Sequence, residues 1–197
     1  MDRFPTLETP RLLLREFQES DAQAVFETFS LDQVTWYLDS ETMHTIDEAE
    51  KKVKSRIEMF ENGQGVRWGI TLKDRPDTVI GSCGFFLLNP EWYSGEIGYE
   101  LHPDYWRKGI MSEALRAVIG FGFSDGFFFP TNRIEAQTYL YSEPSMGLLR
   151  KLGFQDEGVR REVYYWKGQF HDMRCFSMLR RDWPAQPAPV YRLVIDG

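Results

Sequence analysis

A short cationic loop directly precedes an amphipathic helix near the middle of this chain, at residues 105–123, YWRKGIMSEALRAVIGFGF. The apolar positions of the predicted helix repeat on one face, at Met111, Leu115, Val118 and Gly122. The first N–H groups of a helix lack partners and carry partial positive charge, so they attract anions. Arg107 and Lys108 add full charges, and Gly109 allows close approach of a large ligand. The segment predicts either a phosphate-binding loop or an ordinary basic turn.

Two well-known phosphate-binding patterns are absent from the sequence. No stretch matches G-x-x-x-x-G-K-[ST], the pattern of the P-loop. The dinucleotide pattern G-x-G-x-x-G is missed by one residue at both 63–69 and 120–126, and the second stretch follows a helix rather than opening one. These two nucleotide-binding classes are therefore excluded.

The predicted strand before the loop, EIGYEL at residues 96–101, has an unusual polar face. Alternation places Ile97, Tyr99 and Leu101 on one side, and Glu96, Gly98 and Glu100 on the other. A central strand between two layers of helices is normally apolar on both sides. The two carboxylates therefore indicate either an opening in the sheet beside this strand or exposure of both strand ends, and the pattern leaves both open.

The remaining periodicity predicts a mixed α/β domain rather than a regular alternation of strands and helices. The predicted strands cover residues 9–17, 66–73, 78–89, 96–102, 132–140, 159–166 and 172–179. The predicted helices cover residues 19–30, 45–63, 110–122 and 142–154. Ser20 and Asp21 are candidate caps of the first helix, and Thr45 with Glu48 forms a capping box for the second.

Composition narrows the range of partners. The chain has 197 residues, 42% of them hydrophobic, and a formal net charge of −7, which suits one domain with a substantial core. Nucleic acid is not expected as a partner because phosphate backbones require a basic face. No signal peptide or membrane-spanning run is evident, so we expect a cytoplasmic protein. The two cysteines and three histidines show no disulfide or metal spacing, so no metal is expected.

The C-terminal segment has a different character. Three prolines in residues 184–197 favour an extended arm after a domain that covers residues 1–183. Residues 190–195, VYRLVI, would add a strand to this sheet or to that of a second copy, or would fray.

Four segments in consistent order resemble the GNAT superfamily of acetyl-CoA-dependent N-acetyltransferases. They lie within residues 7–183 and cover residues 7–26, 96–115, 142–154 and 157–183. The third, SEPSMGLLRKLGF, resembles the family pattern N-x-x-S-x-x-L-L-x-K-x-G-F. The likeness is greatest to the RimJ/RimL-type branch, whose members acetylate the N-termini of ribosomal proteins and are often dimeric, so a homodimer is possible.

The resemblance implies one mixed, mostly antiparallel sheet, flanked by helices, in which two middle strands splay apart. Acetyl-CoA would enter the gap as co-substrate, with its pantetheine arm along residues 96–101 and its pyrophosphate over residues 107–112. The implied cofactor-binding residues are Tyr99, Glu100, Leu101, Arg107, Lys108, Gly109, Ile110, Met111, Ser112 and Ser142.

This sequence departs from the family pattern at two of those positions. Arg107 stands where glycine is usual, and a Cβ disfavours positive φ. We therefore expect either a helix-like backbone at Arg107 or weaker cofactor binding. Ser142 stands where asparagine is usual, so a cap remains possible but the longer reach toward the cofactor is lost.

The implied reaction is direct attack of a neutral amine on the thioester, which needs a base, donors for the oxyanion and an acid for the sulfur. Glu96 matches the family's base position, and Glu162 is a second candidate. Backbone N–H groups at 99–101 would serve the oxyanion. The tyrosine that many relatives use as acid is replaced by Leu149, so Ser145 is the predicted acid, with water as the alternative.

The predicted acceptor is a primary amine. Trp36, Tyr37, Tyr93 and Tyr164 are the predicted acceptor-binding residues, although each alone also fits core packing. An α-amine has a pKa near 7.7–8.0 and a lysine near 10.4, so a modest carboxylate base suits a protein N-terminus better. Acetylation of a small-molecule amine, and a non-catalytic acyl-CoA-binding module, are the two alternatives.

Overall fold

The computed structural model describes residues 3–184 and 191–194, which form one sheet with helices on both faces. The strands are β1 (Thr6–Glu8), β2 (Leu12–Arg15), β3 (Val66–Leu72), β4 (Arg75–Asn89), β5 (Ser94–Leu101), β6 (Arg133–Tyr139), β7 (Gln155–Trp166), β8 (Gln169–Leu179) and β9 (Arg192–Val194). The helices are α1 (Ala22–Phe29), α2 (Asp32–Thr35), α3 (Ile46–Glu61), α4 (Ile110–Gly122) and α5 (Glu143–Leu152).

The strand order across the sheet is β7-β8-β6-β5-β4-β3-β2-β1-β9. Every pair of neighbours is antiparallel except β5 with β6, which run parallel. The prediction of a single mixed, mostly antiparallel sheet flanked by helices is confirmed. The chain crosses from β5 to β6 through α4, which is how parallel neighbours are normally connected.

Helix α4 lies against the larger core on one face of the sheet. Its apolar face is fully buried at Leu115, Val118 and Phe121, and Phe121 also meets the buried Trp68 ring edge-on. Gly122 is required here because a Cβ at this position would collide with the ring of Phe85. The helix predicted from its periodicity is thus held firmly over the strands that precede it.

A second, smaller core lies on the opposite face, where α1 and α3 pack against Phe17 and Val79. The capping box of Thr45 and Glu48 is confirmed at the start of α3. The expected cap of α1 is wrong in detail. Asp21 occupies the N-cap position, but its carboxylate is buried and binds Arg15 and the backbone N–H of Gln18 instead of capping the helix.

Three elements were not predicted or were left open. β1 and α2 are too short to produce a clear periodic signal. The C-terminal strand β9 pairs antiparallel with β1, so residues 192–194 extend the sheet of their own chain. The rest of the predicted arm, at residues 185–190 and 195–197, lies outside the described residues. None of the helices within the described ranges combines the length and apolar character needed to cross a bilayer.

Candidate active site

The two middle strands β5 and β6 diverge after a short paired segment. Their parallel pairing joins Ser94, Gly95 and Glu96 to residues 133–135 and then stops, although both strands continue. Beyond this point β6 pairs only with β8, so within the described residues the β6-facing edge of residues 97–101 has no strand partner. The predicted splay is therefore present, and Glu96 is the last paired residue before it.

A cleft of about 700 Å³ runs from the unpaired end of β5, at residues 99–101, to the start of α4. Most of the residues predicted to bind cofactor line it, namely Tyr99, Glu100, Leu101, Arg107, Gly109, Met111, Ser112 and Ser142. Lys108 is exposed beside the cleft, and Ile110 is buried in the core beneath it. The cleft also receives Val34, Tyr37 and Leu38 from the loop between α1 and α3.

The cationic loop adopts the conformation of a glycine-rich turn. Gly109 is the N-cap of α4 with φ +73°, and Arg107 also has a positive φ of +59°. The expectation of a helix-like backbone at Arg107 is therefore wrong. The surrounding contacts impose a left-handed conformation that costs a residue with a Cβ roughly 1–2 kcal/mol.

A brace from the N-terminal hairpin holds the loop. The Arg11 guanidinium donates to the carbonyl of Lys108 (3.0 Å) and pairs with the Glu113 carboxylate (2.6 Å) in the first turn of α4. Thr9 and the backbone N–H of Arg11 also donate to Glu113. A carboxylate at this position would otherwise repel an anion at the helix start, so its neutralisation favours anion binding.

Glu100 is buried, and its side chain is already committed to partners on the face opposite α4. Its carboxylate pairs with Arg56 of α3 (2.7 Å) and with Arg67 of β3, and it accepts from Ser82. Burial alone would raise the pKa of Glu100, but Arg67 and Arg56 outweigh it and hold the pKa near 2. The alternative of an exposed strand end is therefore wrong for Glu100, and only its backbone remains free to meet a cofactor.

Glu96 lies in a less compensated environment at the divergence. Its carboxylate accepts from the amide of Gln137 on β6 (2.9 Å), and the same amide donates to the Tyr164 hydroxyl (3.1 Å). Burial raises the pKa of Glu96, Gln137 lowers it, and the nearby Glu135 raises it further, with a net increase. A carboxylate with a raised pKa is a stronger base than an ordinary one, which suits it to accept a proton.

The start of α5 forms the wall of the cleft opposite β5. Ser145 lies 2.6 Å from the Tyr99 hydroxyl, and both residues line the cleft. Ser142 occupies the N-cap position of α5 and is buried, but its hydroxyl makes no capping hydrogen bond. The Ser142 side chain therefore contributes to the cleft lining rather than to the helix end.

The predicted acceptor residues are separated by the structure. Tyr37 lines the cleft and Tyr164 belongs to the Glu96 cluster, whereas Trp36 is 71% exposed beside the cleft. Tyr93 lies at the opposite, paired end of β5, where its carbonyl accepts from the backbone N–H groups of Asn132 and Arg133. Its ring is therefore outside the cleft.

Glu162, the second candidate base, is placed apart from Glu96. It sits in an irregularity of β7 with φ +48°, its side chain is exposed, and its N–H donates to Asp172. No contact among the described residues joins it to Glu96 or Gln137. The structure thus brings one of the two predicted carboxylates to the divergence.

A strap joins the β7–β8 hairpin to residues 35–38 beside the cleft. Lys167 at the tip of the β7–β8 hairpin donates to the carbonyls of Thr35 (2.7 Å) and Leu38 (3.4 Å). Behind it, Trp166 donates to the Tyr139 hydroxyl and stacks on His171. The hairpin and the loop at residues 31–44 are therefore joined across the opening.

Sequence reasoning missed Gln137, Arg11 and Lys167. Gln137 could have been found in the same way as Glu96, from polar residues that alternate along an inner strand. Glu135 and Gln137 form such a polar face on β6. Arg11 and Lys167 act across 102 and 132 residues, and no local pattern indicates such pairings. In the described part of the chain, no group of three or more His, Cys, Asp or Glu side chains could hold a metal ion.

Comparison with known proteins agrees with this geometry. Residues 11–155 match the family model described as the acetyltransferase (GNAT) domain. The chain is 38% identical over 177 residues to the uncharacterized N-acetyltransferase YoaA of Bacillus subtilis (strain 168), covering 90% of this chain and 98% of the relative.

Two further matches are more distant. The [ribosomal protein uS5]-alanine N-acetyltransferase of Escherichia coli (strain K12) is 26% identical over 127 residues, 64% of this chain and 63% of that protein. The solved structure of RimL, a ribosomal L7/L12 α-N-protein acetyltransferase in complex with coenzyme A, shares the fold with a TM-score of 0.75 at 22% identity, covering 87% of this chain and 95% of that one. With a family model that matches most of its length, this chain belongs to the GNAT family of acetyltransferases.

Proposed function

We propose that this acetyltransferase transfers the acetyl group of acetyl-CoA to the N-terminal α-amine of a protein, in the manner of the RimJ/RimL-type branch. The observation that carries the proposal is the alignment of three features along β5. The cleft is lined by Arg107, Gly109, Met111 and Ser112 of the loop and by residues 99–101 of the strand edge. Glu96 is the last residue of β5 that pairs with β6 before that edge becomes free.

The residues of the cleft fit acetyl-CoA. Arg107, Lys108 and the start of α4 would hold the pyrophosphate, and the charge of the Glu113 carboxylate is compensated by Arg11. The unpaired backbone of residues 97–101 would bind the amides of the pantetheine arm in the way a neighbouring strand does. The bound thioester supplies an activated acetyl carbon, and the protein orients it toward the amine.

Glu96 is proposed as the base that takes the proton of the attacking amine. The raised pKa of its carboxylate brings it closer to that of an α-amine, which favours proton transfer between them. The Gln137 amide on β6 donates to this carboxylate and links it to Tyr164. Ser145, on the opposite wall, serves the departing sulfur.

An α-amine is the preferred acceptor because it is partly neutral at physiological pH, whereas a lysine is almost fully protonated. The functions named for the E. coli relative and for RimL support the same acceptor class. The strap of Lys167 favours a second candidate, a small-molecule amine, because it encloses the acceptor side. A non-catalytic module is less well supported, since Arg107 adopts the backbone that the family's glycine would.

The proposal is tested by measuring release of the coenzyme A thiol with a panel of N-terminal peptides, lysine-containing peptides with blocked N-termini, and small amines. We expect turnover with free N-terminal peptides above that with the other two classes. Turnover confined to small amines would support the second candidate, and tight binding of acetyl-CoA without turnover of any acceptor would support the module.

The substitution Glu96→Gln should lower kcat about 10²–10⁴-fold and leave the acetyl-CoA Kd nearly unchanged. In the parent enzyme, kcat/KM should fall as pH drops through the raised pKa of Glu96, because the base is active only when deprotonated. In Glu96→Gln the Glu96 component of that limb should disappear, and only the titration of the acceptor amine should remain. The matched control is Glu91→Gln, an exposed carboxylate in the turn before β5, and an unchanged kcat in Glu96→Gln would remove Glu96 as base.

A further inference from the structure

A pair of hydroxyl groups spans the cleft between β5 and α5. The Tyr99 hydroxyl and Ser145 Oγ are 2.6 Å apart, a short hydrogen bond in which either oxygen could geometrically donate. Two hydroxyls that share one hydrogen bond leave one hydrogen free for a third partner. The free hydrogen is available to a ligand because both side chains line the cleft.

The position of this pair along β5 identifies the part of the ligand that it meets. Strand residues are spaced about 3.3 Å apart, so Tyr99 lies roughly 10 Å from Glu96 and 7 Å from Leu101, which is near the phosphate end. A thioester that presents its carbonyl carbon to an amine at Glu96 and its nucleotide to residues 107–112 carries its sulfur between these limits. The hydroxyl pair is the polar group on that stretch of the cleft wall.

The direction of the hydrogen bond follows from acidity. A phenol is a much stronger acid than an aliphatic alcohol and is therefore the better donor, so Tyr99 donates to Ser145. We infer that Tyr99 is a positioning residue that orients the Ser145 hydroxyl, so that Ser145 donates its own hydrogen to the sulfur of coenzyme A as it leaves. This inference rests on the proposed function and assigns to Tyr99 a role beyond contact with the cofactor.

The pKa values of Tyr99 and of a thiol indicate whether the hydroxyl pair transfers a proton to the sulfur or only donates a hydrogen bond to it. Burial raises the pKa of Tyr99 to about 12, whereas a thiol such as that of cysteine has a pKa near 8.5. Transfer of a proton from Tyr99 to the thiolate is therefore unfavourable. The pair stabilises the thiolate by hydrogen bonding and remains protonated through the reaction.

The amine lone pair forms the N–C bond, and the C–S bond breaks with its electron pair passing to sulfur. Glu96 takes the amine proton, and coenzyme A leaves as a thiolate that accepts a hydrogen bond from Ser145 and later takes a proton from water. The charged side chains on the same cleft are Arg107, Lys151 and Glu100, the last neutralised by its arginine partners.

The test compares coenzyme A with desulfo-coenzyme A, which lacks only the sulfur, by calorimetry between pH 7 and pH 9.5. In the parent enzyme, the affinity ratio should increase with pH as the bound thiol ionises. Ser145→Ala should lower that ratio at pH 9.5 about tenfold or more, and Tyr99→Phe about threefold to tenfold, with little change for desulfo-coenzyme A. The double variant should match Ser145→Ala, because Tyr99 acts through Ser145.

Tyr165→Phe is the control, since it removes a phenol from an exposed position on the β7–β8 hairpin. A ratio that is unchanged in Ser145→Ala, in an enzyme that still acetylates, would overturn this inference and leave the proposed function standing. A larger loss in Tyr99→Phe than in Ser145→Ala would reverse the order of the two residues and also overturn it. Failure of both ligands to bind the parent enzyme would instead refute the proposed function.

Discussion

At the residue scale, several side chains at the site adopt a backbone conformation that glycine adopts more easily. Arg107, Glu162 and Lys167 all have positive φ, between +48° and +59°. Arg107 lines the cleft and Lys167 donates to the carbonyl of Thr35, whereas Glu162 lies apart in an irregularity of β7. Glycine would make the same turns without strain, but it would not provide a charged side chain. Strained charged residues of this kind are typical of functional positions.

Arg107→Gly should stabilise the fold by up to about 1 kcal/mol because it relieves the strain of the left-handed backbone. Part of the relief is offset, since glycine increases the conformational entropy of the unfolded chain. Arg107→Ala retains the Cβ and should give no such gain. Both variants lose the same charge and should weaken coenzyme A binding alike. Urea denaturation and calorimetry measure the two effects, and equal stability of the glycine and alanine variants would contradict the strain.

At the element scale, the β7–β8 hairpin and the loop at residues 31–44 depend on one another. The ammonium group of Lys167 meets the carbonyl of Thr35 at the end of α2, where the helix dipole favours a cation. The hairpin is stiffened behind its tip by the contacts of Trp166. The strap therefore holds the hairpin against residues 35–38.

Lys167→Met keeps the length of the side chain and removes its donors. We expect amide hydrogen exchange in residues 35–44 to accelerate severalfold and the acceptor KM to rise about fivefold, the loss expected from one charge-assisted hydrogen bond near the surface. The acetyl-CoA Kd should not change. Lys54→Met, on the exposed face of α3, is the control, and unaltered exchange in residues 35–44 would show that the strap does not order the loop.

The elements themselves were largely predictable from the sequence, whereas their long-range partners were not. The periodicity of residues 110–122 and the capping box at Thr45 are local signals, and both correspond to observed helices. The short strand β1 pairs within a sheet whose order no local pattern indicates. The burial of Glu100 depends on Arg56 and Arg67, which are 44 and 33 residues away in the chain.

At the scale of the whole molecule, Glu100 connects a helix to the central strands of the sheet. Its carboxylate links α3 and β3 to the strand that borders the cleft. Removing one member of a buried ion pair leaves uncompensated charge inside the protein, which typically costs about 3–5 kcal/mol. This cluster is therefore a stability element directly beneath the active site.

Glu100→Gln should lower the free energy of unfolding by about 3–5 kcal/mol at neutral pH. The folded pKa of Glu100, about 2, lies below its ordinary value of 4.5, so this contribution is complete above pH 4.5 and is lost as the pH falls toward 2. The difference between parent and variant should therefore shrink in acid. Denaturation at several pH values measures the difference in the free energy of unfolding between parent and variant. Asp125→Asn, at an exposed carboxylate, is the control. A difference that stays constant with pH would contradict the lowered pKa of Glu100.

The three-residue pairing between β5 and β6 has a further consequence for the molecule in operation. In the proposed mode of binding, the cofactor would occupy the unpaired edge of residues 97–101 in the way an additional strand does. Each catalytic cycle would then complete the sheet and open it again. We expect rigidity to rise when coenzyme enters and to fall when it departs. Release of coenzyme A, rather than formation of the amide bond, is then expected to be the rate-limiting step.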